Sequence, residues 1–464
     1  MKQGKVQSIE RQQLTKLGPS ILDRMNSGKL LREKVPRSSH AQWSAPADRP
    51  DPLILLQNSD HGRLPELLPI RYGRMQHSPF AFYRGSAAVM AWDLHRTPAT
   101  GIRVQVCGDC HSANFGGFAS PERQLLFDIN DFDETLRAPW EWDVKRLAAS
   151  VALASRELGL GAGRCNDAVL TMAQSYRERM AEYAQMRALE VWYSHMDAEV
   201  FIDEAKSAAA RKRWEQVEDK ARHQTAEHIF PRIADVINGR TRIVDHPPLV
   251  YHGRASEERQ VTHMFQRYRQ TLPEERRIIL DRYHIIDVAW KVVGVGSVGT
   301  RCALALLMAG EHDPMLLQFK EAHPSVLEPY AGASPYSNHG QRVVTGQHML
   351  QSASDVFLGW TRDDDGRCYY FRQLRDMKMK IDLENMTKGD WLEYVEICGW
   401  TLARAHARTG DAALIAGYLG KNDAFDLALA KFAEDYAIQT ERDHGALVRA
   451  VRFGRVKSQE VAAA

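Results

Sequence analysis

The chain has 464 residues, 44% of them hydrophobic and 26% charged, which is the composition of a globular protein with two or three domains' worth of core. Its 61 basic and 59 acidic residues leave a net charge of +2, so nothing in the charge favours a nucleic-acid partner. No apolar run approaches the roughly 20 residues that cross a bilayer, and the first residues lack the apolar core of a signal peptide. We therefore expect a cytoplasmic protein without a membrane partner, in which the six cysteines are reduced.

Residues 1–52 are predicted to comprise a mixed-charge helix, over 6–34, and an irregular arm rich in proline and serine. Pro79 is predicted to begin a further helix, whose aromatic residues supply core. Arg84 lies in this helix within the sequence Phe-Tyr-Arg-Gly, and a guanidinium group suits a carboxylate or phosphate partner. Arg84 is therefore a candidate contact for phosphate or substrate, with a structural ion pair as the alternative.

The stretch 102–143 carries the strongest functional signal. A strand with alternating apolar residues leads into a loop with Asp109 and Asn114, and a second predicted strand leads into Asp131 and Asp133. Two strand ends thus present acids and amides within a short span of one another. Such hard oxygen ligands suit a divalent cation that also binds phosphate, although each residue taken singly is explained by a turn or a helix cap.

The spacing of these residues sharpens the prediction. Asp109 and Asn114 are five residues apart, as in the kinase catalytic loop, where the Asp accepts the proton of the substrate hydroxyl and the Asn holds a metal ion. Asp131 begins an Asp-Phe-Asp sequence where kinases place the metal-binding Asp-Phe-Gly, so Asp131 and Asp133 join Asn114 as candidate metal ligands. His111, inside the loop, is a further candidate contact for phosphate or substrate.

The sequences GDCHSANF and INDFDE resemble the motifs Gly-Asp-x-His-x-x-Asn and Ile-Asp-Phe-Asp of the aminoglycoside-phosphotransferase and choline-kinase branch of the protein-kinase-like superfamily. The resemblance implies a two-lobed α+β fold that moves a phosphoryl group from ATP, with Mg²⁺, to a hydroxyl of a small molecule or protein. In kinase-like folds an Asp after the metal-binding loop often supports the catalytic-loop backbone. Asp143 either does this or only caps its helix.

A glycine motif follows a long block of predicted helices at 163–236 and 255–284. In a kinase such glycines cover the nucleotide phosphates, and a lysine on the third strand pairs with them. In a Rossmann unit they hold the pyrophosphate of a dinucleotide at a helix N-terminus. The short segment after the motif favours the kinase interpretation. The candidate nucleotide-binding residues are Gly294, Gly296, Ser297, Val298, Gly299 and Lys320, of which Lys320 is also a candidate catalytic residue.

The order of the parts is unusual, because the glycine motif follows the catalytic loop by about 180 residues, whereas in ordinary kinases it precedes that loop. We therefore predict a circularly permuted kinase-like fold. After the N-terminal arm, a catalytic-loop and helical lobe would span 53–284 and a nucleotide-clamping mixed β lobe 285–385. Helices at 386–464 would pack on the helical lobe.

The remaining segments fit this arrangement with one departure. The predicted helix 339–354 has no Glu to pair with the strand lysine, so Gln347, Glu321 or Glu328 would have to substitute. A hairpin follows and leads to the predicted hinge, where backbone groups near Gln373 and Leu374 would contact adenine. The predicted helix at 391–409 resembles the Leu-Ala-x-x-His helix that precedes the catalytic loop in unpermuted relatives.

Viewed whole, the chain resembles the bacterial family called domain of unknown function 2252 over about residues 50–440, through the motifs SPFAFYRGSA, CGDCHSANFG, FDINDFDE, WEWDVKRLAAS, FKEA, GQRVV and RQLRDMK. The family name supplies no substrate. Three alternatives to phosphotransfer stay open: AMP transfer on the same fold, an inactive nucleotide-binding regulator, and an NAD(P)-dependent Rossmann enzyme that uses Gly294–Gly299.

Overall fold

The chain is a mixed α+β protein with 51% helix and 15% strand. A computed structural model describes residues 18–203, 205, 207–237, 239–253, 255–292, 294–374, 377–379 and 381–460. Within these residues the helices are α1 Ile21–Lys34, α2 Pro52–Asn58, α3 Leu68–Gln76, α4 Pro79–Gly85, α5 Ala87–Leu94, α6 Trp140–Glu157, α7 Ala162–Tyr183, α8 Ala188–Tyr193, α9 Val200–Asp203, α10 Ala208–Arg222, α11 Ala226–Ile233, α12 Ala255–Arg269, α13 Glu274–Leu280, α14 Glu328–Ala331, α15 His339–Leu350, α16 Lys388–Thr409, α17 Ala412–Leu419 and α18 Ala424–Arg452. The strands are β1 Arg103–Val106, β2 Phe115–Ala119, β3 Leu125–Ile129, β4 Leu136–Pro139, β5 Ala234–Ile237, β6 Arg240–Ile243, β7 Val250–Tyr251, β8 His284–Lys291, β9 Cys302–Met308, β10 Pro314–Ala322, β11 Gly359–Arg362 and β12 Cys368–Gln373.

A six-stranded sheet with the order β11-β12-β10-β9-β8-β7 forms the core of the second half of the chain, and its neighbouring strands are antiparallel. The central strands β9 and β10 are buried on both faces, which explains their nearly continuous apolar sequences. Alternate β9 side chains face opposite ways. Ala305 and Leu307 pack against α12, whereas Leu304 and Leu306 pack against α11 and β6.

Two short two-stranded sheets lie against a helical body formed by α6, α7, α16 and α18. The strand β1 pairs with β4, and β2 pairs with β3, all antiparallel. α6 begins directly after β4, and its apolar residues at helical spacing, Leu147, Val151 and Ala154, are buried as expected. The body therefore supports the two loops that connect these sheets, residues 107–114 between β1 and β2 and residues 130–135 between β3 and β4.

The sequence predicted several elements closely and missed others. The predicted strands at 125–129 and 302–308 are β3 and β9, and the helix predicted from Pro79 is α4. Of the predicted helix at 6–34, residues Ile21–Lys34 form α1, residues 18–20 precede it without helical structure, and residues 6–17 lie outside the described part. The hairpin β5–β6 was not predicted, and the helical prediction was wrong where it extended over the start of β5 to residue 236.

The irregular arm is packed rather than loose, contrary to the prediction. The Arg49 guanidinium donates to Asp93 Oδ1 at 2.8 Å and to Asp443 Oδ2 at 2.6 Å, and its side chain is only 6% exposed. His40 is buried and lies 2.8 Å from the Tyr418 hydroxyl. These contacts fasten the arm to α5, α17 and α18, and they depend on residues too distant in sequence for a local pattern to reveal.

Among the described residues, the helices are either too short or too polar to cross a bilayer.

Two helices, α1 and α17, cross with almost no space between their backbones. A Cβ atom added at Gly417 would lie 2.1 Å from the Met25 carbonyl oxygen, and one at Gly28 would lie 2.0 Å from that of Leu414. Both contacts are with backbone, which cannot rotate away as a side chain can. Glycine is therefore required at this crossing for its small size.

We expect Gly417→Ala to lower the free energy of unfolding by about 1–3 kcal/mol, because the added methyl group forces the two helices apart. Gly163→Ala is the matched control, since Gly163 lies in α7 with open space around it and alanine is the better helix former. Urea denaturation measures both. Equal effects of the two substitutions would contradict the close crossing.

Candidate functional site

A cavity of about 400 Å³ lies where the loops 107–114 and 130–135 meet the glycine motif. Its walls come from five segments that are far apart in the sequence: 58–88, 109–114, 131–134, 294–300 and 321–326. The sequence-predicted residues that line it are Arg84, Asp109, His111, Asn114, Asp131, Asp133, Gly294, Gly296 and Ser297. The structure thus brings together candidate residues that were selected from separate motifs.

The loop that carries Asp109 is fixed from below by α6. The Asp143 carboxylate accepts the backbone N–H groups of Cys107 and Gly108 at 2.8 and 3.0 Å. His406 Nε2 from α16 lies 3.4 Å from the same carboxylate. Since α6 begins three residues earlier, at Trp140, Asp143 supports the loop backbone and does not merely cap the helix.

The Cys107 and Cys110 thiols and the Asp143 carboxylate lie within 4.8 Å of one another, which is close enough for metal ligands. However, burial raises the pKa of both thiols, which keeps them protonated, and both Asp143 oxygens already accept backbone N–H groups. We interpret this cluster as part of the loop's support.

Asp109 is held by Arg146, a residue of α6 that the sequence did not single out. Arg146 Nε donates to Asp109 Oδ1 at 2.7 Å, and a second guanidinium nitrogen contacts the same oxygen. Burial raises the pKa of Asp109, and the Arg146 charge opposes that increase. The other oxygen, Oδ2, lies toward the glycine motif, because a Cβ atom on Gly296 would come within 4.0 Å of it. One oxygen is therefore fixed while the other faces the cavity.

Two neighbours of Asp109 have nitrogen atoms that are buried without a hydrogen-bond partner among the described residues, Arg84 Nε and His111 Nδ1. Burial and the nearby positive charge of Arg84 lower the pKa of His111 well below its usual value, so this imidazole is neutral near pH 7. His111 Nε2 lies 3.9 Å from Asp109 Oδ2. Both side chains are therefore available to a ligand in the cavity.

Asn114 and Asp131 present oxygen atoms on the cavity wall that the loops 107–114 and 130–135 form. The Asn114 side-chain amide donates to the Asp109 carbonyl at 2.9 Å, which leaves its oxygen to the cavity side. Asp131 accepts the Asp133 N–H at 3.2 Å and, among the described residues, forms no ion pair. An amide oxygen and a free carboxylate are the ligands that Mg²⁺ prefers, so this donor set fits the predicted metal.

The glycine motif forms a turn between two antiparallel strands, β8 and β9. Gly294 and Gly299 have positive φ values of +65° and +91°, which favour glycine. A Cβ atom on Gly296 would lie 3.2 Å from the Arg84 carbonyl oxygen. The turn is followed by a strand, whereas the Rossmann interpretation requires a helix N-terminus at that point, so the geometry does not favour a dinucleotide site.

Lys320 lies beneath this turn and is almost fully buried, at 3% exposure. Its ammonium group forms an ion pair with Asp133 and donates to Ser297 Oγ at 2.7 Å. The Tyr370 hydroxyl donates to the other Asp133 oxygen at 2.8 Å. Burial alone would raise the pKa of Asp133, but the Lys320 charge and the hydrogen bonds from Lys320 and Tyr370 together lower that pKa to about 2. Burial alone would lower the pKa of Lys320, but the Asp133 charge, with Tyr370 and Asp131, raises it.

The helix after the lysine strand, α15, contributes an arginine where a glutamate was sought. The Arg342 guanidinium donates to the carbonyl oxygens of Asp133 and Thr135 at 2.7 Å and to that of His323 at 2.8 Å. The three residues proposed as partners of Lys320 have other contacts, with Gln347 donating to Gln351, Glu321 paired with Arg301, and Glu328 near Arg342. The helix therefore stabilises the Asp133 loop directly.

Five of the predicted nucleotide contacts are not on the cavity wall: Lys320, which lies beneath the glycine turn, and Val298, Gly299, Gln373 and Leu374. The Gln373 N–H donates to the Asp355 carboxylate, and the Leu374 N–H donates to the Leu316 carbonyl at 2.9 Å. The Leu374 side chain packs in the apolar cluster that α11 and β6 form on the sheet. Val298 is buried in another apolar cluster, and the Gly299 carbonyl accepts the Leu64 N–H at 2.7 Å. The adenine contact at Gln373 and Leu374 stays a prediction.

The N-terminal segment of the cavity wall, residues 58–88, holds the glycine turn in place. Arg63 donates to the Val298 carbonyl at 2.6 Å, and Leu64 bonds to the next residue, Gly299. Arg74 donates to the Gly294 carbonyl at the other end of the turn. The sequence offered no signal for these contacts, because they join residues more than 200 positions apart through backbone carbonyls, which any residue possesses.

We expect Asp133→Asn to lower the free energy of unfolding by about 3 kcal/mol, because it leaves the Lys320 ammonium buried without its counter-charge. Since the folded pKa of Asp133 is about 2, below the unfolded value of about 3.9, its contribution is present above pH 4 and is lost as the pH falls toward 2. Asp131→Asn is the control and should change stability by less than about 1 kcal/mol. Chemical denaturation at neutral and acid pH measures the free energy of unfolding of both variants. An equal loss in the two variants would contradict the buried ion pair.

Comparison with known proteins places the chain in a family. A family model described as "Uncharacterized protein conserved in bacteria (DUF2252)" matches residues 63–450. No curated protein and no solved structure matches the chain. The matched range contains Lys320, α16 and all five cavity segments, except for residues 58–62 at the start of the first segment. Since the match covers most of the sequence, the chain belongs to the bacterial family called domain of unknown function 2252.

Proposed function

We propose that the protein transfers the γ-phosphoryl group of ATP, bound with Mg²⁺, to a hydroxyl group of an acceptor, on a circularly permuted protein-kinase-like fold. The observation that carries the proposal is the convergence of Asp109, Asp131 and the glycine turn on one cavity, although the turn lies about 180 residues after the loop. Each of these parts has a role in phosphoryl transfer that depends on its being next to the others.

The residues divide the work by their chemistry. Asn114 and Asp131 would hold Mg²⁺, which neutralises phosphate charge when bound, and Asp133 lies next to them as a further acid. Lys320 and Ser297, which already share a hydrogen bond of 2.7 Å, would face the phosphates beneath the glycine turn. These groups supply charge stabilisation and positioning, the main requirements of phosphoryl transfer.

Asp109 would act on the acceptor. A bond forms between the acceptor oxygen and the γ-phosphorus while the bond from that phosphorus to the bridging oxygen of ADP breaks, and its electron pair leaves with ADP. The hydroxyl proton passes to Asp109. A raised pKa improves a carboxylate as a proton acceptor, and Arg146 keeps the group charged and oriented.

The arrangement of the sheet supports a kinase-like small lobe. The glycine turn joins two antiparallel strands, Lys320 lies on the next strand, β10, and a helix, α15, follows before the β11–β12 pair. This is the order of parts that the superfamily resemblance implies. Gln318 and Arg372, on the same sheet, are hydrogen-bonded at 2.9 Å beyond Lys320.

Circular permutation is supported by the meeting of α16 and β1. The Gln105 N–H donates to Thr409 Oγ1 at 3.2 Å, so the last residue of α16 touches the strand that leads into the catalytic loop. In an unpermuted relative these two elements would be consecutive in the chain. His406, in the segment that resembles the Leu-Ala-x-x-His motif, contacts Asp143 beneath the loop.

MgATP should raise the unfolding temperature of the native chain, because a ligand at about 100 times its dissociation constant adds about 2.7 kcal/mol of stability. Asp131→Asn should abolish the Mg²⁺-dependent part of this effect, whereas Asp219→Asn, an exposed acid on α10, should preserve it. Thermal unfolding with ATP, with and without Mg²⁺, measures both. Stabilisation by NADH but not by MgATP would favour the dinucleotide alternative.

We further expect the acid limb of the pH–activity profile to move to higher pH in Arg146→Gln. Burial raises the pKa of Asp109, and removing the opposing positive charge raises it further. Activity needs the deprotonated carboxylate, so it should fall most below neutral pH. Arg146→Lys, which keeps the charge, should restore part of the native profile. An unchanged limb in Arg146→Gln would contradict the role of Asp109 as the proton acceptor.

A further inference from the structure

We propose that the acceptor is a small hydroxyl compound with an anionic group, which Arg84 binds. This inference rests on the proposed phosphotransfer and names the substrate class of the same site. It follows from two properties of the cavity, its enclosure by the N-terminal segment and the balance of charge on its walls.

The wall beside Asp109 favours a small acceptor over a polypeptide. Residues from 58 to 88, which precede the catalytic hairpins, form the wall beside Asp109 and are bonded to the glycine turn through Arg63, Leu64 and Arg74. A protein substrate needs an open groove at this place. The volume of about 400 Å³ is in the range of pockets for small molecules, and bound phosphate must share it.

The acids of the cavity are almost all neutralised within the protein. Asp109 is paired with Arg146, Asp133 with Lys320, and Glu321 with Arg301. Glu134 accepts the Val326 N–H at 2.7 Å and lies near Arg342, whose charge counteracts the burial that raises its pKa. Asp131 is the acid that has no basic partner among the described residues, and it is the one assigned to Mg²⁺.

The bases show the complementary pattern. Arg71 is paired with Asp60 at 2.8 Å and also donates to the Gly85 carbonyl. Arg63 lies 3.9 Å from Asp60 and is hydrogen-bonded to the glycine turn. Arg84 forms no ion pair among the described residues. Beside Asp109 the cavity therefore has an arginine without an ion-pair partner among the described residues, whose full neutralisation requires a negative charge from a ligand.

The surroundings of Arg84 make this requirement strong. Its guanidinium lies 5.9 Å from the Phe80 ring, its Nε is buried without a partner, and the small residues Gly85, Ala87 and Ala88 line the space next to it. A buried donor that lacks an acceptor is costly, and a carboxylate or phosphate group would satisfy it with charge-assisted hydrogen bonds. Aminoglycosides and choline, the cationic acceptors of the resembled branch, would be repelled here.

A second unsatisfied group defines where the hydroxyl lies. His111 is 3% exposed, lines the cavity, and makes no hydrogen bond through Nε2 among the described residues. Since Nε2 lies 3.9 Å from Asp109 Oδ2, a neutral imidazole can hydrogen-bond through it to a hydroxyl placed near that oxygen. The acceptor would thus place its hydroxyl at Asp109 and His111 and its anionic group at Arg84.

The test fills the nucleotide site first and then compares acceptors of different charge. The protein is saturated with Mg²⁺ and a non-hydrolysable ATP analogue, so that the γ-phosphate position is occupied. Thermal unfolding is then followed with glycerate or glycerol phosphate, with neutral glycerol, and with cationic ethanolamine, at constant ionic strength. We expect stabilisation by an anionic compound only, with an affinity about 10- to 100-fold weaker in Arg84→Gln and partly restored in Arg84→Lys. Arg96→Gln, an exposed arginine paired with Asp48 outside the cavity, is the matched control and should bind as the native chain does.

Each other outcome overturns the inference in a distinguishable way. Equal stabilisation by glycerol or ethanolamine, or an anion effect that survives in Arg84→Gln, would show that Arg84 does not select the acceptor. If Arg84→Gln instead weakens binding of the ATP analogue and no anion adds to it, Arg84 contacts the γ-phosphate. If the analogue itself fails to stabilise the native chain, the proposed function fails, and the inference fails with it.

Discussion

The buried ion pair between Lys320 and Asp133 is the interaction on which the site depends. A lysine at 3% exposure needs a counter-charge within contact, and the loop after β3 supplies it by lying against the large sheet. Ser297 and Tyr370 complete the coordination of the pair from the glycine turn and from β12. Four segments are thereby fixed relative to one another by one charge and its partner.

Charged residues on two buried helices fix the loops of the cavity in a similar way. Asp143 and Arg146, one turn apart on α6, hold the backbone and the side chain of the Asp109 loop respectively. Arg342 on α15 holds the carbonyl groups of the Asp133 loop. Both loops are thus supported from buried helices, so their functional side chains are positioned before any ligand binds, which is what phosphoryl transfer requires of a protein.

The sequence predicted the parts of this site better than their connections. Asp109, Asn114, Asp131 and the glycine motif could be recognised because each lies in a short motif whose spacing has a chemical meaning. The partner of Lys320 could not be predicted, since it is 187 positions away and only the fold brings it close. The helix predicted at 339–354, which has no Glu to pair with Lys320, offers Arg342 instead, and the carbonyl oxygens that Arg342 binds leave no trace in a sequence.

The fold shows the same division. Strongly periodic or continuously apolar segments such as β9 and α16 were predicted nearly to the residue, because local patterns determine them. The N-terminal segment 58–88, by contrast, was predicted only as part of the helical lobe, yet its residues Arg63 and Arg74 fasten the glycine turn. Its importance comes from tertiary contacts, and so does the packing of α11 and β6 on the sheet face beyond Gln318.

The most direct test of phosphotransfer uses ATP that is labelled on either the α- or the γ-phosphorus. The protein is incubated with this ATP, Mg²⁺ and a mixture of anionic, neutral and cationic small hydroxyl compounds, and the label is followed into products. Phosphoryl transfer predicts that only the γ label appears in a new product, and that Asp109→Asn loses this transfer while still binding MgATP. Transfer of the α label would identify an AMP transferase. Equal turnover in the native chain and in Asp109→Asn would contradict the assignment of this cavity as the catalytic site.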